Sequence, residues 1–211
     1  MEDNFEHQVY DKNTIEFVTV ANEFCLLLES SNKISKMDFI DRSQKLLPLL
    51  YLKASLLPKV ENEFEGEIEK FVGEGDWEYI RTAVIEKMGA NDEYLEVFDD
   101  GMRDSDEPIV ASISENFADI YQDLKDFLTS YRIASVEIMN DALWDLNNNF
   151  HQYWGQAIVN SLRAIHYLLA HPEKLEDDLS DQGLSSSSLD RMDMSKSIFS
   201  QRQQQWGEQE D

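Results

Sequence analysis

"EPIVASISENFADIYQDLKDFLTSY" (residues 107–131) decides the fold class. Ile113, Phe117, Ile120, Leu124 and Phe127 recur at steps of three and four, so they share one face of a helix. Pro108 is placed to sit in the first helical turn, where a missing N–H is tolerated. Ser112, Asn116, Asp119, Asp123 and Asp126 form a polar stripe beside the apolar face, and at about 100° per residue they span only about 80° of arc.

The same period runs outward in both directions. Downstream, Val136, Met139, Leu143, Leu146, Phe150, Tyr153 and Ala157 alternate three and four, and Ala164 and Leu168 keep the phase. This predicts one long helix from about 133 to 171, ended by Pro172, with "NNN" (147–149) as a candidate kink. Upstream, Ile15, Val18, Ala21, Cys25 and Leu28 predict a helix whose stripe Phe17 and Phe24 widen. Ser35 with Asp38 three residues on is a weak capping box for "MDFIDRSQKLLPLLYLKASLL" (37–57), where Pro48 predicts a kink or two shorter helices.

Residues 60–107 differ in character, with 17 acidic residues against 4 basic. "ENEFEGEIEKFVGEGD" (61–76) reads as loop or a poor helix because Gly66, Gly73 and Gly75 interrupt it. Asp76 reads as the N-cap of "WEYIRTAVIEKMG" (77–89), with Trp77, Ile80, Val84 and Met88 inward and Gly89 as the stop. A short helix is expected for "NDEYLEVF" (91–98). Beyond Pro172 the chain is rich in Ser, Gln and Asp and too polar to offset the entropy of ordering. The expected architecture is all-α: one helical-bundle domain (1–172) of about six helices with a long penultimate helix, then a low-complexity tail (173–211). Ile198, Phe199 and Trp206 stand out in that tail as docking anchors, with Arg191, Lys196 and Arg202 close by.

The charge excludes several functions. With 43 acidic and 18 basic residues the net is −25, and no Lys/Arg cluster is present to displace counterions from phosphates. Direct nucleic-acid binding and adhesion to anionic membranes are therefore not expected; an acidic balance is ordinarily a solubility device, and the sharper reading is a protein partner with a basic surface. The single Cys25, the absence of an apolar run of membrane-spanning length and an acidic, polar start point to a cytoplasmic protein.

No metal or cofactor is expected. On a helix, His151 and His166 are about 22 Å apart along the axis, and His166 and His171 diverge by about 140°. Neither Glu-x-x-His nor His-Glu-x-x-His occurs. "FDDGMRDSDEP" (98–108) fails the EF-hand register, because Phe98 would have to be a ligand. Gly-rich phosphate loops and Gly-x-Ser-x-Gly are absent. Trp154 aligns with Ile158, Ser161 and Ile165 and reads as core, and Gly155 beside it suggests close approach of a neighbouring helix. Arg163 is the one Lys or Arg between Arg132 and Lys174, which predicts an ion pair with Asp119 or Asp123 across two helices. Alternatively Asp119, Asp123, His151, Trp154, Arg163 and His166 line a polar groove for a small ligand or an enzymatic reaction.

Certain of these residues also resemble a known pattern. Asp119, Ile120, Tyr121, Asp123, Leu124 and Lys125, then Trp154 and Gly155, then Leu162, Arg163 and His166, resemble the motifs of a bacterial helical family known only as a domain of unknown function. Tyr94 to Asp99 fits the same likeness, which covers about residues 9–171. His151 departs from it, lying two residues too far from the Trp-Gly pair. The resemblance implies an all-helical fold and no particular activity. Two classes of function remain: a non-enzymatic interaction or regulatory protein with a basic partner, or a ligand binder or enzyme that uses the interhelical groove.

Overall fold

Asp11 opens the first helix by accepting the Asn13 N–H at 2.8 Å, and α1 runs Lys12–Glu29. The computed structural model describes residues 7–63, 68–96, 109–133 and 135–176, all within the unit Met1–Glu176. The tail anchors Ile198, Phe199 and Trp206 and the 98–108 stretch lie outside the described residues. Phe17, Val20, Ala21, Phe24, Cys25 and Leu28 are buried along α1, whereas Ile15 is exposed. The chain offers two overlapping apolar stripes here, and the one carrying both aromatic rings faces the core, where it removes more apolar surface from water. Burial pushes the Cys25 thiol far above the ordinary thiol range, so this side chain packs as a small hydrophobe.

Ser35 caps α2 (Lys36–Ser55) by accepting the Asp38 N–H at 3.1 Å. Helix α2 is one element with Pro48 inside it, so of the two expectations, a kink or two shorter helices, the division into two does not hold. Pro48 is exposed, so water can reach the carbonyl that loses its helical donor. Helix α3 spans Glu74–Met88. It starts earlier than the sequence suggested: Gly73 is the cap, and Asp76 sits inside the first turn and accepts the Gly73 N–H at 3.2 Å. Gly89 ends the helix at φ 57°, a conformation that favours glycine.

The short helix expected at 91–98 is instead a strand, β1 (Glu93–Leu95), paired antiparallel with β2 (Val110–Ser112), Tyr94 opposite Ala111. Helix α4 (Ile113–Ile133) therefore starts after Ser112, and Pro108 is not in its first turn. The start is fixed by caps: Ser112 Oγ accepts the Glu115 N–H at 3.2 Å, and the Asp92 carboxylate accepts the Ser114 N–H and hydroxyl at 2.8 and 2.6 Å.

The long helix is present. It consists of α5 (Val136–Asn149), a π turn (Phe150–Trp154) and α6 (Gly155–Ala170), continuous over 136–170, and a last turn, α7 (Glu173–Glu176), places Leu175 in the core. The π turn falls directly after the Asn run that the sequence marked as a kink. Helix α4 is central, packing on α1, α3, α5 and α6, while α2 packs on α1 and α6. Trp154, Phe17, Phe24, Phe39 and Phe117 are fully buried at the middle. Gly155 has a different cause from the one expected. A Cβ there would stand 2.6 Å from the Phe150 carbonyl oxygen and 2.9 Å from its ring, so the close neighbour is its own π turn and not another helix. Among the described residues no helix is long and apolar enough to cross a membrane.

Candidate functional site

The polar stripe of α4 sits where six other segments meet it, and Asn116, Asp119, Asp123 and Asp126 each have a partner on at least one of them. Asn116 donates to the Tyr94 hydroxyl on β1 at 2.5 Å and to Ser161 Oγ on α6 at 3.1 Å. Asp119 accepts the Trp77 indole N–H from α3 at 2.8 Å and the Tyr153 hydroxyl from the π turn. Asp123 accepts the Asn149 amide of α5 at 2.9 Å. The buried Asp126 accepts two backbone N–H groups of the 57–73 segment, those of Phe71 at 2.7 Å and Val72 at 2.9 Å. A buried carboxylate is tolerated when its lone pairs are met by donors of this kind.

The opposite edge of α4 is tied in the same manner. Glu29 of α1 accepts the Tyr121 hydroxyl at 2.9 Å and the Lys125 ammonium at 2.6 Å. The residues of the Asp-Ile-Tyr-x-Asp-Leu-Lys motif thus divide cleanly: Ile120 and Leu124 fill the core, and the four polar members join α4 to its neighbours.

Arg163 does not pair with Asp119 or Asp123. It is exposed and donates through Nη2 to the Leu95 carbonyl of β1 at 2.7 Å. The geometry is simple: Ser161 is the α6 residue that faces the α4 stripe, and two residues further on a helix is about 200° around the axis. Hence Arg163 grips the outside of the β hairpin. Nearby, Asn160 donates to both carboxylate oxygens of Glu96, at 3.0 and 2.9 Å. Trp154 is wholly buried against Phe17 and Phe150 and donates to the Leu146 carbonyl at 3.2 Å. His151 and His166 are both exposed, and His151 lies edge-on to Phe150. Of the six groove residues read from the sequence, Asp119 and Asp123 share a seam. Trp154, His151, Arg163 and His166 each face elsewhere.

Sequence reasoning read 61–76 as loop or a poor helix and missed its role: the described residues 57–63 and 68–73 form a strap held by polar side chains of α4 and α5. Asp141, fully buried, accepts the Glu63 N–H at 2.7 Å, and Asn140 donates to the Glu61 carbonyl at 2.7 Å. Lys70 reaches Asp145 at 2.6 Å over a shallow groove that Asp123, Asp126 and Ser130 also line. A polar Asn140-Asp141 pair at positions in phase with the core was the available signal, since buried polar residues require fixed partners. Burial, opposed by the Asn149 hydrogen bond, holds the Asp123 carboxyl above its ordinary range. Burial likewise pushes the Tyr94 phenol up to about 12, and burial with the Asp119 carboxylate pushes the Tyr153 phenol higher still. Phenols shifted in this direction stay protonated, and Tyr153 donates its proton to the Asp119 carboxylate while Tyr94 accepts from Asn116. Among the described residues no group of three or more His, Cys, Asp or Glu is placed to hold a metal.

This is a helical domain whose polar interior is devoted to joining its own helices. It belongs to the family described as a domain of unknown function, DUF5063, whose pattern matches residues 8–171. The chain is similar to protein BF1032 from Bacteroides fragilis, a crystal structure, with 42% sequence identity over 76% of this chain and 94% of that one and a TM-score of 0.69. No curated protein matches.

Proposed function

We propose that this domain is a non-enzymatic interaction protein whose acidic exterior receives a basic protein partner. One observation carries the proposal: the polar groups that a reaction would need are already engaged. Asp119, Asp123 and Asp126 hold donors from α3, the π turn, α5 and the strap, and Arg163 holds a backbone carbonyl. A catalytic acid or base must reach a proton on substrate, and the structural partners these groups already hold favour a joining role over a catalytic one. The net charge of −25 supplies the complementary exterior. A cytoplasmic setting belongs to the same proposal and suits a lone, buried cysteine. So does a docking role for the anchors Ile198, Phe199 and Trp206 in the 173–211 extension.

Untagged full-length protein purified from its native cells at low salt, then subjected to mass spectrometry, tests the proposal. The expected result is a basic protein in near-stoichiometric amount, released as salt approaches about 1 M, where the screening length falls to about 3 Å. A retained small molecule with no protein partner would instead establish a ligand-binding groove.

A further inference from the structure

We propose that the C-terminal half of α2 is a docking face for a leucine-bearing, acidic amphipathic helix of a partner protein. This face lies in a basic stretch of the sequence, apart from the acidic residues that dominate the rest of the chain.

A surface helix normally turns polar residues to water on the side opposite its core stripe. The first half of α2 obeys, with Asp41 and Lys45 outward. The second half does not. Leu47, Leu50 and Ala54 are buried, yet Leu52, about 200° around from Leu50, points to solvent. Leu49, Leu52 and Leu56 are 40%, 52% and 46% exposed and form one strip at three-and-four spacing. That strip is about 10 Å long, two turns of an opposing helix. Tyr51 beside it is already occupied, its ring edge-on to Phe150 at 5.2 Å. A helix face that carries three exposed leucines in one strip is ordinarily covered.

Charge complementarity selects the occupant. Residues 33–59 carry six basic and two acidic side chains, while the rest of the chain carries 12 basic and 41 acidic. Thus the exposed leucines sit in the one strongly basic stretch of an acidic protein, with Lys45 a turn before Leu49 and Lys59 just after Leu56. A partner with leucines on one face and carboxylates flanking them satisfies both the apolar strip and the surrounding charge. A second copy is disfavoured, because two chains at −25 repel. The same net charge opposes an anionic lipid surface.

The test titrates fluorescent designed peptides into the full-length chain. One is an amphipathic helix with leucines at heptad positions and glutamates elsewhere, and the control replaces each glutamate by lysine. The acidic peptide is expected to bind saturably and to weaken at least about tenfold against Leu52→Gln/Leu56→Gln, since anchors of this kind dominate helix docking. An independent charge variant, Lys45→Glu/Lys59→Glu, keeps the leucines and is expected to weaken binding in low salt and to lose that difference in high salt. Circular dichroism of each variant checks that the fold is retained. No saturable binding overturns the proposal, as does equal binding of the two peptides. Self-association abolished by the leucine variant would make a second copy the occupant, and binding to phosphatidylglycerol vesicles a membrane. Either result also overturns it.

Discussion

Gly155→Ala sets two physical effects against each other, and the structure decides the sign. By helix propensity alone, alanine should stabilise an interior helical position by about 1 kcal/mol. Here the added Cβ would lie 2.6 Å from the Phe150 carbonyl oxygen and 2.9 Å from its ring, under the 3.0 Å that real Cβ atoms observe. The obstacle is backbone, five residues earlier, brought close because the π turn redirects that carbonyl toward Gly155. Relief requires the turn to straighten, which would rotate Trp154 out of its packing with Phe17 and Phe150, or the backbone to shift. Forced insertion of a methyl group into packed structure costs about 1–3 kcal/mol, and a backbone obstacle this close places Gly155 at the upper end, about 2–3 kcal/mol, against the propensity gain of about 1 kcal/mol. We expect a net loss of about 1–2 kcal/mol, which at about 2–4 °C per kcal/mol lowers Tm by about 2–8 °C. Urea and thermal unfolding followed by circular dichroism measure it. Gly75→Ala is the matched control: its Cβ meets nothing within 4 Å, so alanine there is expected to be neutral or stabilising. Equal or greater stability of Gly155→Ala than of the unaltered chain would refute the reasoning and show that the π turn does not need glycine.

Two further outcomes follow from the seam and a third from Arg163 outside it. Asp126→Ala leaves the Phe71 and Val72 N–H groups without their acceptor and is expected to cost about 2–4 kcal/mol in urea unfolding, with hydrogen exchange rising along 57–73; an unaltered strap would contradict it. Asp123→Asn should gain stability relative to the unaltered chain as pH rises from about 4 to 7. The reason is that burial holds the folded carboxyl above its unfolded value, so folding favours the protonated form and this contribution is lost as pH climbs through the raised value. Melting curves at both ends of that range check it, and a gap that widens toward acid would be the wrong sign. Arg163→Ala is expected to change stability by less than about 1 kcal/mol, because its bond to the Leu95 carbonyl is exposed; a loss of about 3 kcal/mol would mean it compensates a buried charge.

Helices were legible in the sequence wherever apolar period and length coincided. The α4 stripe from Ile113 to Phe127 and the 136–170 helix follow from spacing, and Trp154 was legible as core because Ile158 and Ile165 share its face. Strands β1 and β2 were not legible: three residues are too few for a period, and Tyr94 meets Ala111, and Asp92 meets Ser114, only once the fold brings them together. The polar stripe itself was visible, but its partners were not. Trp77, Asn149 and the strap N–H groups reach it from elements separated in sequence, and no local pattern encodes such contacts. The Arg163 error has a different origin. Its isolation as a cation suggested a carboxylate partner, whereas its angular position, opposite Ser161, already directed it away from α4.

Asp119→Ala, measured for stability and for partner capture in parallel, tests most directly whether the α4 seam holds the fold together and leaves recognition to the exterior. Removing that carboxylate strips the acceptor from the Trp77 indole and the Tyr153 hydroxyl, so melting is expected to fall by the equivalent of about 1–3 kcal/mol. Capture of the proposed basic partner below the melting range is expected to be unchanged. An unaltered melting temperature together with loss of a bound molecule would contradict the account and make Asp119 part of a binding site.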